Sequence, residues 1–235
     1  MTATFRIQRY NPEKDAKPYF MDYTLNDLDP RSRILDALHE IKWTIDGTLT
    51  FRRSCAHGMC GSDSMCINSR NALACALLLK DVNAKKPIVI EPLPSLPIIK
   101  DLVVDLSDFF HKYEMVKPWL ITHDPPPQLE RLQSPADADL LGESAKCIQC
   151  ACCTSSCPSN WANKNYLGPA GILKGYRFVF DTRDEGTEEH LSAMDSPDGV
   201  WRCHTIFNCN ECCPKNINIV WHISQVKKKL VTIGL

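Results

Sequence analysis

The chain has 235 residues, 44% of them hydrophobic, and a formal net charge of −1 at pH 7. This length allows one large or two ordinary cores, and the near-neutral charge argues against nucleic acid as a partner. No stretch approaches the roughly 18–20 consecutive apolar residues that a membrane-spanning helix needs. The opening MTATFRIQRY resembles neither a signal nor a transit peptide, so we expect a mature chain that starts at Met1 in a cytoplasmic compartment.

The first part of the chain predicts a small α+β domain. Alternating apolar and polar residues indicate a strand at Thr4–Tyr10, and a second short strand is predicted at Tyr19–Leu25 after a turn-rich segment. After Pro30 the apolar residues recur at helical spacing, and the β-branched run PIVIE at residues 87–91 indicates a later strand. Strands followed by one helix and a final strand suit an α+β fold.

A cluster-binding spacing lies between the predicted helix and that last strand. Plant-type 2Fe-2S ferredoxins use the pattern C-x₄-C-x₂-C with a remote fourth cysteine. Here Cys55 and Cys60 take the first two positions, Asp63 stands at the third, and Cys75 is the remote ligand. The spacing predicts a 2Fe-2S site with three thiolates and one carboxylate.

The third ligand of this site has two candidates. Asp63 keeps the spacing, and a carboxylate, although a harder donor than thiolate, can hold ferric iron. Cys66 offers a thiolate but breaks the spacing by three residues. We favour Asp63 and expect Cys66 to be a buried thiol on the next strand. Gly58 and Gly61 allow the loop to fold tightly with its amides directed inward.

The second part of the chain predicts helices joined by connections that carry the remaining ligands. Residues 98–106 suggest a connection, and Ser107 then caps a helix with an aromatic stripe. Gly168 and Pro169 open another helix, and Ile217–Leu230 forms the last. The predicted domains are therefore 1–105, which binds 2Fe-2S, and 106–235, which is helical.

The run CIQCACCTSSCP at residues 147–158 contains the bacterial ferredoxin pattern C-x₂-C-x₂-C-x₃-C-P. In that pattern the first three cysteines bind one cluster and the fourth binds a second cluster. Zinc is the alternative, but zinc sites use two separated C-x₂-C pairs. The run therefore predicts two clusters and a partner run elsewhere in the chain.

The partner run is CHTIFNCNECCP at residues 203–214. It repeats the spacing except that Ile206 stands where the second cysteine is expected. A cubane site with an apolar side chain in place of one ligand should hold a 3Fe-4S cluster. The predicted ligands are Cys147, Cys150, Cys153 and Cys213 for 4Fe-4S, and Cys157, Cys203 and Cys209 for 3Fe-4S.

Two further cysteines lie beside predicted ligands. The spacing excludes Cys152 and Cys212, and a buried thiol is the ordinary role for such residues. Cys212 remains an alternative to Cys213, because a shift of one residue in the loop would exchange them.

The motifs RRSCAHGMCGSD, CIQCACCTSSCP, GPAGILKGYRFVFDTRD and WRCHTIFNCNECCP together resemble the iron-sulfur subunits of succinate dehydrogenases and fumarate reductases. The resemblance covers essentially the whole chain. It implies an α+β protein with an N-terminal β-grasp plant-type 2Fe-2S ferredoxin domain and a C-terminal all-α ferredoxin-like domain.

This resemblance also implies partners. Members of the family connect a flavoprotein subunit, where succinate and fumarate interconvert at FAD, to hydrophobic membrane anchor subunits that hold quinone and often haem b. We therefore expect a succinate dehydrogenase subunit, peripheral on the cytoplasmic face of a bacterial inner membrane. Quinol:fumarate reductase is the alternative, and a free-standing soluble ferredoxin or a zinc-stabilised scaffold is a more distant one.

By the same resemblance, quinone approaches the 3Fe-4S site against Pro158, Trp161, His204 and Ile206. Ubiquinone-reducing members carry two tryptophans after Cys-Pro, whereas here Trp161 precedes Ala162. This difference keeps menaquinone beside ubiquinone as the expected quinone. Trp161 could instead be a core or interface aromatic, and His204 a packed polar residue.

Overall fold

The computed structural model describes residues 1–233 and divides into two compact units. The first unit contains residues 1–106 together with 148–155, and the second contains residues 107–147 and the chain from 156 onward. The sequence predicted one division, at residue 105. It did not predict that residues 148–155 belong to the first unit.

The first unit is built on a five-stranded sheet of order β2-β1-β5-β3-β4. The pair β1 and β5 is parallel, whereas β1–β2, β3–β4 and β3–β5 are antiparallel. The strands are β1 (Ala3–Arg9), β2 (Tyr19–Leu25), β3 (Ser64–Ile67), β4 (Arg70–Leu73) and β5 (Ile88–Glu91). The predicted strands at the start of the chain and at residues 87–91 are confirmed.

Helix α1 (Ile34–Glu40) belongs to the same core as this sheet and continues as one wider turn at Ile41–Ile45. Phe5 on β1, Leu38 on α1 and Ile90 on β5 are fully buried. Burying such a side chain contributes about 1.5–3 kcal/mol. The mixed α+β class predicted from the sequence is confirmed.

Residues 98–106 form a small hairpin, so the prediction of a plain connection is wrong. Strands β6 (Ile98–Lys100) and β7 (Val103–Val104) pair in antiparallel fashion around Asp101, whose φ is 46°. The Asp101 carboxylate accepts the backbone N–H groups of Tyr10 and Thr50. Strands of three and two residues are too short to show an alternating pattern, which explains the miss.

The second unit is helical. Helix α6, which begins with Gly168 and Pro169 as predicted, packs against α7 and α9 through a nearly continuous buried face. The helices are α2 (Ser107–Met115), α3 (Pro135–Gly142), α4 (Cys152–Ser155, in the first unit), α5 (Pro158–Ala162), α6 (Gly168–Val179), α7 (Thr187–Met194), α8 (Asn208–Glu211) and α9 (Ile219–Ile233). Single 3₁₀ turns occur at Leu79–Asp81, Ser144–Lys146 and Val200–Arg202.

The predicted helices that start at Ser107 and near Ile217 are confirmed as α2 and α9. The ligands do not all lie on connections, because Cys153 is in α4 and Cys209 is in α8. These helices have four residues each, less than the length at which helical periodicity is visible. Among residues 1–233, no helix has the length and apolar character needed to cross a membrane.

Candidate iron-sulfur sites

The loop that precedes β3 directs backbone amides at a cysteine sulfur. The N–H groups of Met59 and Cys60 donate to Cys55 Sγ, with N···S distances of 3.4 and 3.2 Å. Backbone hydrogen bonds, first from His57 and then from Cys60 and Met59, lower the pKa of the Cys55 thiol to about 7. Amides grouped around a sulfur stabilise thiolate, so the loop fits the negatively charged ligands of an iron-sulfur cluster.

The carboxylate of Asp63 is buried beside Cys75. Both residues are 2% exposed, and Cys75 N–H donates to Asp63 Oδ2 at 2.5 Å. Burial, reinforced by a hydrogen bond to Asp63, raises the pKa of the Cys75 thiol to about 12. A buried carboxylate is costly unless it is paired or binds a metal. The position of Asp63 therefore fits a role as a ligand next to Cys75.

Cys66, the competing third ligand, lies on β3 between Asn71 and Glu91 of the neighbouring strands. It is 9% exposed, and burial, followed by the charge of Glu91, raises the pKa of its thiol to about 11. Its strand neighbours Met65 and Ile67 belong to the hydrophobic core. The contacts thus put Asp63 beside Cys75 and Cys66 beside Glu91, which supports the choice of Asp63.

Two predicted 4Fe-4S ligands, Cys150 and Cys153, return to the first unit. Cys150 packs against the hydrophobic core of that unit, and its neighbours Gln149 and Ala151 have φ values of 56° and 62°. The backbone N–H groups of Cys152 and Cys150 hydrogen-bond the Cys150 sulfur. The pKa of the Cys150 thiol is lowered, chiefly by a hydrogen bond with Cys152.

The other two predicted 4Fe-4S ligands, Cys147 and Cys213, belong to the second unit and are half-buried. The Ile217 N–H donates to Cys213 Sγ at 3.4 Å. Cys212 is buried, and its sulfur contacts the Cys209 carbonyl oxygen at 3.7 Å. The grouping of these four cysteines around one cluster stays a prediction from their spacing.

The three predicted 3Fe-4S ligands line one hollow in the second unit. Cys157, Cys203 and Cys209 face a space of about 310 Å³ that is open to solvent. Burial, and after it the charges of Cys157 and Cys203, raises the pKa of the Cys209 thiol to about 12. Burial likewise raises the pKa of Cys157. The structure thus brings together three thiols that are separated by up to 52 residues in the sequence, as Cys157 and Cys209 are.

Ile206 contributes an apolar side chain to the same hollow. Its neighbours Thr205 and Phe207 both have positive φ, at 60° and 71°. Pro158 and His204 also line the hollow. Trp161 on α5 is 49% exposed and is not among the described residues that line it.

Among the lining residues that the sequence did not predict are four that lie outside the two cysteine runs. Tyr166 and Pro169 precede and begin α6, and Val220 and Ile223 lie one turn apart on α9. The spacing of Val220 and Ile223 is typical of one buried helix face, but it does not indicate which part of the protein that face packs against. Lys227, also on α9, donates to the Cys203 carbonyl at 2.8 Å.

Within residues 1–233, no three His, Cys, Asp or Glu side chains converge closely enough to hold a single metal ion. The thiolates of an iron-sulfur cluster bind separate irons and need not converge on one point. The residues present fit clusters by the chemistry of their donors: thiols in groups, amides directed at sulfur, and a buried carboxylate.

Comparisons with known proteins agree with this assignment. Residues 4–111 match the family model of a 2Fe-2S iron-sulfur cluster binding domain, and residues 143–217 match that of a 4Fe-4S dicluster domain. The chain is 45% identical over 230 residues to a protein of Coxiella burnetii named succinate dehydrogenase iron-sulfur subunit, with 97% of each chain covered.

A second relative and a solved structure extend the comparison. The chain is 45% identical over 231 residues to the mitochondrial succinate dehydrogenase [ubiquinone] iron-sulfur subunit 1 of Oryza sativa subsp. japonica, covering 97% of this chain and 82% of the relative. A chain of the Mycobacterium smegmatis Sdh1 complex in the apo form superposes with a TM-score of 0.83 at 25% identity, covering 98% and 96% of the two chains.

Proposed function

Because the chain belongs to the family of succinate dehydrogenase iron-sulfur subunits, we propose that it carries electrons from the FAD of a flavoprotein subunit to membrane quinone. The order of sites is 2Fe-2S, 4Fe-4S, 3Fe-4S, and the overall reaction converts succinate and quinone to fumarate and quinol. The transfer from the 3Fe-4S cluster to quinone is supported by one observation: Cys157, Cys203, Cys209 and Ile206 line the same hollow.

The clusters, when bound, supply one-electron redox chemistry. The chain's residues hold them and adjust their potentials. Thiolates of the cysteines and the carboxylate of Asp63 supply negative charge, and amides such as those of Met59 and Cys60 stabilise it. The side chain of Ile206 has no electron pair to offer iron, so the third site has only three protein ligands.

The quinone end of the proposal rests on the lining of the same hollow. Pro158, His204 and Ile206 line it, and the last two are exposed to solvent. A hydrophobic quinone ring can pack against Pro158 and Ile206, while His204 can hydrogen-bond a carbonyl oxygen. The name of the rice relative supports ubiquinone, and the single Trp161 leaves menaquinone as the alternative.

The proposal includes partners and a location. We expect a flavoprotein subunit with FAD and one or more hydrophobic anchor subunits, with haem b on the anchors. The chain would then be peripheral on the cytoplasmic face of a bacterial inner membrane.

The direction of turnover tests the proposal against its alternative, a quinol:fumarate reductase. In the purified complex, succinate should reduce a matched ubiquinone analogue faster than the corresponding quinol reduces fumarate. The measurement compares both initial rates in one preparation. Faster fumarate reduction would favour the alternative, and the absence of quinone-linked activity in both directions would contradict the proposal.

A further inference from the structure

The 2Fe-2S loop touches the cluster-bearing segment of residues 148–155 at one glycine. A Cβ atom placed on Gly61 would lie 2.8 Å from Cys150 Cβ, 3.0 Å from Cys150 Cα and 3.1 Å from the Ile148 carbonyl oxygen. Two of these neighbours are backbone atoms, which cannot turn away as a long side chain can. Gly61 is also at φ +68°, so the position excludes a side chain for two independent reasons.

This contact lies between proposed ligands of different clusters. Gly61 follows the 2Fe-2S ligand Cys60 directly, and it meets the 4Fe-4S ligand Cys150. A path for an electron from Cys60 to Cys150 therefore crosses the peptide bond between Cys60 and Gly61 and then the van der Waals contact between Gly61 and Cys150.

Two hydrogen bonds hold the segment in this position. Asn71 on β4 donates from Nδ2 to the Cys152 carbonyl oxygen at 3.1 Å, in buried surroundings. Ser155, at the end of α4, donates to the Pro94 carbonyl oxygen. The Asn71 bond joins the central sheet to the backbone between Cys150 and Cys153, so a shift of the segment would break it.

On the basis of the proposed function, we propose that Gly61 and Asn71 are positioning residues for electron transfer. They keep the segment of Cys150 and Cys153 against the 2Fe-2S loop, and the contact of Gly61 with Cys150 is where the electron crosses. In each crossing the site of Cys55, Cys60, Asp63 and Cys75 is oxidised by one electron, and the site of Cys150 is reduced by the same electron. No bond forms or breaks.

The test compares two glycines in the assembled complex. Gly58 has φ +76°, but a Cβ there would meet no described heavy atom within 4 Å. Gly58→Ala therefore introduces the same kind of backbone strain as Gly61→Ala without moving the segment. EPR measures the signal of each cluster and the spin–spin coupling between the reduced 2Fe-2S and 4Fe-4S clusters, and freeze-quench EPR follows reduction beyond the first cluster after succinate is added.

We expect Gly61→Ala to keep the individual clusters but to weaken the coupling and to slow the crossing several-fold. Gly58→Ala strains the same ligand loop without meeting Cys150, so in molecules that assemble both clusters it should leave the coupling unchanged. Asn71→Leu, which lies outside the ligand loop, should weaken the coupling in the same way. If Gly61→Ala prevents assembly of the 2Fe-2S cluster, the coupling and the crossing rate measured in Asn71→Leu decide whether the inference holds. Unchanged coupling and crossing rate in Asn71→Leu, or in a fully assembled Gly61→Ala, would overturn the inference. Loss of the proposed function would instead appear as missing cluster signals in the unmodified complex.

Discussion

At the first site, the proposed ligand that differs from the others is the carboxylate of Asp63. Asp63 is buried against Cys75 and accepts that residue's backbone N–H. A carboxylate in place of a thiolate presents a harder donor to the iron. Cys66, the only alternative thiol that the sequence suggested nearby, contacts Glu91 and has its pKa raised by burial.

Alanine variants of these two residues should separate their roles. Asp63→Ala removes the proposed carboxylate ligand and should abolish or strongly reduce the EPR signal of the reduced 2Fe-2S cluster. Cys66→Ala should retain that signal and cost about 1 kcal/mol of stability, because it removes only a small buried group. The opposite pattern, with the signal lost in Cys66→Ala and intact in Asp63→Ala, would make Cys66 the ligand.

At the residue scale, the spacing predicted which residues of one proposed site lie together, but not which other residues surround them. The spacing grouped Cys157, Cys203 and Cys209 with Ile206, and the structure brings these residues to one hollow. Spacing works here because the ligands lie in two short runs of chain. It could not predict Tyr166 or Ile223, which reach the hollow from other helices.

At the scale of elements, a buried ionic network ties β1 to the two turns beside it. The Arg9 guanidinium, 6% exposed, pairs with Asp46 and Asp101 and also donates to Tyr23 and Thr48. Burial opposes ionisation of Asp46, but hydrogen bonds from Thr48, Tyr23 and Arg9 outweigh it and hold the pKa of that carboxyl below its usual value. Removing one carboxylate leaves the buried Arg9 guanidinium with a single ionic partner.

The lowered pKa of Asp46 predicts how stability depends on pH. Its contribution is present above the unfolded-state pKa of about 3.9 and is lost as the pH falls through the lower folded-state value. Asp46→Asn should cost about 1–3 kcal/mol at neutral pH and flatten the acid limb of the stability curve. Urea denaturation of the purified chain at several pH values measures both effects.

The control for this prediction is the exposed pair of Arg6 and Asp22, whose side chains are 46% and 45% exposed. Asp22→Asn should change the stability little, since exposed ion pairs contribute little. A loss in Asp22→Asn equal to that in Asp46→Asn would mean that burial of the Arg9 network is not what stabilises the unit.

Elements with a long pattern were predictable, and short or non-local ones were not. The seven-residue strand β1 and the twelve-residue helix α6 show clear periodicity. The hairpin of β6 and β7 and the four-residue helix α4 are too short for it. The return of residues 148–155 to the first unit depends on contacts such as that of Gly61 with Cys150, which no local pattern encodes.

At the scale of the whole molecule, we propose that one chain holds three clusters of different type in a fixed order. The type of the last cluster is the decisive point, since cluster type is a main determinant of reduction potential. We propose that in this chain the type depends on Ile206, which lines the same hollow as Cys157, Cys203 and Cys209.

The most direct test of this account is the EPR spectrum of the oxidised complex with and without Ile206→Cys. The unmodified complex should show a 3Fe-4S signal. Ile206→Cys adds a fourth thiolate and should replace that signal with a 4Fe-4S cluster that is EPR-active only when reduced, while Ile206→Ala should keep the 3Fe-4S signal. Absence of the 3Fe-4S signal from the unmodified complex, or its persistence in Ile206→Cys with the new thiol in place, would contradict the account.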